Sequence, residues 1–193
     1  YAWGKYDSAE NFYLLALDYA TRNRAEESII SLQIALGKVH HARYDMDRAI
    51  ETYLRILNRP GLTKSRFYGS LLNSLGIAYF QKNEPDTALE YYHKALKIAK
   101  DLQNVIEELR LLIHIGGALH IKGEYSKALE FYQRALPLAE ANRRIGDASV
   151  CLFNIGVAYN YLEDYNSAIP YFLRAIENKE ELRLSASGKD RLD

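Results

Sequence analysis

Apolar residues along this chain recur at steps of three and four, in paired blocks separated by short polar turns. In Leu71-Leu72-Asn73-Ser74-Leu75-Gly76-Ile77-Ala78-Tyr79 the spacing is that of an amphipathic helix, and the same pattern returns along the chain. Asn83-Glu84-Pro85-Asp86 then stops one helix and starts the next. Proline is tolerated at a first helical position because that N–H has no intrahelical partner. Gly123-Glu124-Tyr125 and Glu163-Asp164-Tyr165 mark the same turn, with Gly123 suited to a left-handed helix end and Asp164 to a cap. The pattern predicts pairs of antiparallel helices joined by tight turns.

The pairs are periodic. Gly37, Gly76, Gly116 and Gly156 step by 39, 40 and 40, and Ala49, Ala88, Ala128 and Ala168 repeat those steps. An aromatic follows at Tyr53, Tyr92, Tyr132 and Phe172, then Ile56, Ala95, Ala135 and Ala175. A fixed period of this size predicts a solenoid of stacked units. The small columns suggest glycine facing alanine across a pair, with the aromatic column filling the gap to the following unit. The units read as residues 24–62, 63–102, 103–142 and 143–180, preceded at 1–23 by the second half of another and followed at 181–193 by a linker or a new segment. Gly4-Lys5-Tyr6 is in register with Gly123-Glu124-Tyr125, which predicts a turn there and makes residues 1 to 3 the last turn of a preceding helix. Gly188 predicts a break near the other end. Arg59-Pro60-Gly61-Leu62-Thr63 is the clearest interruption between units, and Pro170 falls inside a helix that it is expected to bend.

These residues resemble the tetratricopeptide repeat. Its pattern of large apolar, Leu or Ile, Gly or Ala, then Tyr or Leu is met by Leu72-Leu75-Gly76-Tyr79, Leu112-Ile115-Gly116-Leu119 and Leu152-Ile155-Gly156-Tyr159, whereas Gln33-Leu36-Gly37-His40 diverges most. The 40-residue step is similar to the lengthened variety of kinesin light chains and Leu-Gly-Asn type polarity adaptors. The resemblance implies an all-α, right-handed superhelical solenoid whose first helices line a concave groove for an extended peptide or a partner helix. Carried over by register, the binding residues are Asn73, Ser74, Ile77 and Phe80, then Arg110, Ile113, His114 and His120, then Phe153, Asn154, Val157 and Tyr161. Ser74, His114 and Asn154 form a short polar ladder, in which related adaptors place asparagines that hold a peptide backbone. The carboxylate clamp of co-chaperone repeats is not met: its places hold Ile34, Lys38, Ser74, Arg110 and His114, of which Arg110 alone suits bidentate pairing.

Charge and chemistry narrow the partner. Lys plus Arg equals Asp plus Glu at 25 each, so no excess of positive charge gathers nucleic acid or anionic lipid. No apolar run approaches a membrane span. The single cysteine, Cys151, fits a reducing compartment and a cytoplasmic protein, and its apolar neighbours predict an inert buried thiol. The histidines lack metal-ligand spacing, and the glycines sit singly rather than in a phosphate-cradling loop, so neither metal nor cofactor is expected. Most aromatics fall on packing columns; Phe80, Phe153 and Tyr161 fall on the groove.

The expected function is therefore a non-catalytic scaffold that binds a segment of another protein, or of its own chain. An alternative is a regulatory module of a larger protein. The tail Glu180-Glu181-Leu182-Arg183-Leu184-Ser185-Ala186-Ser187-Gly188-Lys189 is similar to the segment joining such repeats to a CHAT-type caspase-like peptidase. A third expectation is end-to-end self-association through the apolar ends of the array.

Overall fold

Seven turns of one kind give the chain its rhythm. The computed structural model describes residues 3–189, with side chains described for residues 6–185. All regular structure among the described residues is helical. The helices are α1 (Trp3–Arg22), α2 (Glu26–Ala42), α3 (Met46–Leu57), α4 (Tyr68–Gln81), α5 (Pro85–Asp101), α6 (Val105–Ile121), α7 (Tyr125–Ala141), α8 (Ile145–Tyr161) and α9 (Tyr165–Lys189). One residue at positive φ closes α1, α2, α4, α5, α6, α7 and α8: Arg24, Tyr44, Asn83, Gln103, Gly123, Arg143 and Glu163. The next N–H then reaches back five residues, as in Asp45 to His40, Glu84 to Tyr79 and Glu124 to Leu119, at 2.9–3.0 Å. This double closure satisfies the last carbonyls of each helix and reverses the chain within three residues. Asp45, Asn104 and Asp164 cap the following helices by accepting from Arg48, Glu107 and Ser167 N–H groups. Gly123 and Asp164 thus have the predicted roles, and Pro85 opens α5.

The exception is the connection after α3. That helix has 12 residues where α5 and α7 have 17. The chain then passes through Arg59-Pro60-Gly61 and a short 3-10 turn at Leu62–Lys64, with Gly61 at φ 76°. Leu62 is buried beneath it and plugs the gap.

Residues 1–98 and 99–193 form two compact units. The first holds α1 to α4 and α5 as far as Ile98. Its core gathers Ala49, Tyr53, Ile56, Leu71, Leu75 and Ala78, all essentially excluded from solvent. The second holds the end of α5 with α6 to α9, around Leu109, Leu112, Ile115, Ala128, Leu152 and Ile155. In both units the aromatic column packs against the glycine of its own helix pair. A Cβ on Gly116 would meet the Tyr132 ring at 2.5 Å, and one on Gly156 the Phe172 ring at 2.8 Å. Gly37 meets Tyr53, and Gly76 meets Tyr92, in the same way. The expectation of glycine facing alanine is corrected here: the ring 16 residues later occupies the space a side chain would need.

Two local expectations also change. α1 runs from Trp3 straight through Gly4-Lys5-Tyr6, because one glycine costs a helix only about 1 kcal/mol and its neighbours are helix-compatible. The reading of residues 1 to 3 as the end of another helix rests on Tyr1 and Ala2, outside the described residues. α9 continues to Lys189 with no break at Gly188, while Pro170 falls inside it as expected and Pro137 falls inside α7.

The turns generate a prediction. Glu163 holds a left-handed conformation that costs an L-residue roughly 1–2 kcal/mol, so Glu163→Gly is expected to raise stability by about 0.5–1 kcal/mol after the extra chain entropy of glycine. Gly123→Ala is expected to lower it by a similar amount. Urea denaturation of the two variants checks the opposite signs.

Candidate binding surface

The residues singled out from sequence lie on α4 in the first unit and on α6 and α8 in the second, and exposure and bonding separate them. On α4, Asn73 is buried, while Ser74, Ile77 and Phe80 are half-buried. The Ser74 hydroxyl donates to the Ser70 carbonyl at 2.9 Å and shares a hydrogen bond with the Tyr53 hydroxyl. Burial pushes the Tyr53 phenol up to about 12, opposed by that bond. Ser74 therefore serves the core beneath it.

On α6, Arg110 is exposed and pairs with Glu107 at 3.4 Å, whereas Ile113, His114 and His120 are half-buried. Burial lowers the His114 pKa from its ordinary value, helped by the Arg110 charge and opposed by Glu107. On α8, Phe153 and Tyr161 are 55% and 53% exposed, with Asn154 and Val157 half-buried between them. These are the best-presented aromatics of the predicted set.

His120 meets the Tyr161 ring edge-on at 5.0 Å, and Tyr125 stacks on Tyr161 at 4.5 Å. In the first unit His41 Nε2 bonds Gln81 Oε1 in the same register, four residues after one glycine and five after the next. These rungs tie successive first helices together. Tyr125 was not expected at this surface; its alignment with Pro85 and Tyr165 at the turn is the signal that marks it.

At the other end of α8, Phe153 meets Phe172 at 5.7 Å and lines an apolar cleft of about 410 Å³ with Val150, Phe172, Ala175, Ile176 and Lys179. Ser149 closes its floor by donating to the Ala175 carbonyl at 3.0 Å. Sequence reasoning missed Val150 and Ile176, which lie off the transferred register. A cleft of about 570 Å³ between α1 and α2 is lined by Phe12, Leu15, Tyr19 and Leu32.

The buried Cys151 thiol is pushed up to about 12 by burial, with Asp147 and Glu140 adding to the effect, so its thiolate is unfavourable at neutral pH. Among the described residues, no three His, Cys, Asp or Glu side chains converge as a metal site. No helix there is long and apolar enough to cross a membrane.

The lowered His114 and His120 values carry a stability prediction. Below the ordinary value of 6.5 the unfolded chain binds protons that the folded chain resists, so stability falls with pH until the folded values are passed. Urea midpoints from pH 7 to pH 5 are expected to drop, and His114→Gln is expected to reduce that drop.

The tetratricopeptide-repeat family model matches residues 67–141 and again 107–181. No curated protein matches the chain. Among solved structures, BtubC from P. vanneervenii is 22% identical, with a TM-score of 0.85 over 93% of this chain and 75% of that one. MamA is 21% identical, with a TM-score of 0.69 over 94% of this chain and 93% of that one. A kinesin light chain of Podosopora anserina with nearly identical TPR-like repeats is 13% identical, with a TM-score of 0.75 over 93% and 89%. At these identities the likeness shows the fold, an all-α helical solenoid of the TPR type. The family match ends at residue 181, and the expected likeness of the tail to a CHAT-linked segment finds no support. With the family pattern covering residues 67–181 and helix pairs packed as that pattern requires, the chain belongs to the tetratricopeptide-repeat family.

Proposed function

We propose that this chain is a non-catalytic scaffold that holds an uncharged, apolar segment of another protein on the exposed face of α8, with α6 beside it. The fold itself supports protein–protein interaction in general. The observation that carries the finer reading is the pair Phe153 and Tyr161, more than half exposed on one helix and separated by Asn154 and Val157. Exposed aromatics in an apolar wall are the usual anchors of an interface, and Asn154 offers both donor and acceptor to a peptide backbone. Ile77 and Phe80 extend the same chemistry on α4 within the first unit, whereas buried Asn73 and core-bonded Ser74 offer little to a partner. Balanced charge supports a protein rather than nucleic acid or a membrane surface. The lone buried thiol supports a reducing, cytoplasmic setting.

The test is affinity capture with the chain and with a Phe153→Ala/Tyr161→Ala version, followed by calorimetry on whatever protein is retained. Loss of an anchor of this kind is expected to weaken binding by roughly 2 kcal/mol, about thirtyfold, with helicity unchanged. Tyr44→Ala, at an exposed turn position, is expected to leave affinity unchanged. Equal binding by all three proteins would overturn this reading.

A further inference from the structure

Aligning the helix pairs on their glycines isolates one pair with polar residues at two places that the other pairs fill with apolar or aromatic ones. Leu72, Leu112 and Leu152 lie four residues before the glycines of α4, α6 and α8, and each is essentially excluded from solvent. Tyr79, Leu119 and Tyr159 lie three residues after. α2 puts Gln33 and His40 in these two places. Gln33 Oε1 and His40 Nδ1 are both shielded from solvent, with no hydrogen-bond partner in the protein.

The facing helix departs from the pattern too. Tyr91 stacks on Tyr79 at 5.5 Å, and Tyr171 on Tyr159 at 5.7 Å. In the corresponding place α3 has the buried Thr52, so a small hydroxyl side chain and an imidazole replace a stacked ring pair. α3 is also the shortest of these second helices, and its exit through Arg59-Pro60-Gly61 lacks the closure found at the other turns. α1 is tied to the α2–α3 turn by Arg43, whose guanidinium pairs with Asp7 and Glu10.

We propose that α1, α2 and α3 form a labile element that opens as one body, ahead of α4 and α5, because Gln33 and His40 remove the apolar contacts that lock the other pairs. The ion pairs at Arg43 keep α1 with α2 and α3, and the irregular stretch from Arg59 to Phe67 is where the chain gives. Opening uncovers Leu71, Leu75 and Ala78 of α4, which are fully buried when the element is closed.

Hydrogen exchange read by mass spectrometry on the 193-residue chain tests the proposal. Amides of α2 and α3 are expected to open at least about tenfold more often than those of α4 and the first turns of α5, the scale of one buried polar group left unpaired. Gln33→Leu with His40→Leu is expected to narrow that gap at least about tenfold, leaving α4 and α5 unchanged. Trypsin cleavage at Lys64 and Arg66 is expected to slow in parallel. Equal protection in the unmodified chain would overturn the proposal. So would a gap that survives both substitutions with helicity retained, since that is fraying with no contribution from the polar pair. If the double variant does not fold, Gln33→Leu alone is expected to narrow the gap, and no narrowing would be equally fatal.

Discussion

The contact on which the rest depends is a ring lying where a side chain would be. Each first helix has a glycine facing the second, and the tyrosine or phenylalanine 16 residues later fills the volume a side chain would take. The arrangement fixes three things together: the distance between the two helices, their axial register, and the burial of one large ring per pair. Tyr53, Tyr92 and Tyr132 are 1–2% exposed, a payload that alanine or leucine at the same place would not supply. Because the requirement is steric, it repeats without any polar code and leaves the outer faces free to vary.

The turns supply the second constraint. Left-handed residues close seven helices, at steps near twenty apart from the one that spans α3, and among them Gly123 alone avoids the steric cost of a Cβ. The other positions are held by the bonds that close each helix, so backbone geometry wins over side-chain preference. Polar rungs then decorate the joints. Lys82 pairs with Asp47 at 2.8 Å, in the register Arg43 takes with Asp7. In the last such register the positions are Leu162 and Ser126, and there Tyr125 stacked on Tyr161 makes the link instead. The substitution of stacked rings for an ion pair brings an aromatic to the surface of α8.

Much of this was legible because it is periodic. The glycine and aromatic columns, the cap at Asp164 and the start at Pro85 all follow from local chemistry. The partner of the glycine was misassigned because spacing tells which residues recur but not which two meet. Gly4 misled for a related reason: a glycine in turn register is also tolerated inside a helix. Left-handed Arg24, Gln103 and Arg143 carry no sequence mark at all, since their conformation is imposed by the next helix. On the candidate surface, register picked out Phe153 and Tyr161, both of which are exposed. It could not reveal that Ser74 bonds inward to Tyr53, or that Val150 and Ile176 open a cleft beside Phe153.

A double-mutant cycle on Gly116 and Tyr132 tests the central claim most directly. Gly116→Ala is expected to cost about 1–3 kcal/mol by overpacking in the unmodified chain. In a Tyr132→Leu background, where the ring is gone, most of that cost is expected to vanish, giving a coupling above about 1 kcal/mol. Additive losses would contradict the account, because they would mean that the glycine and the ring stabilise the fold independently.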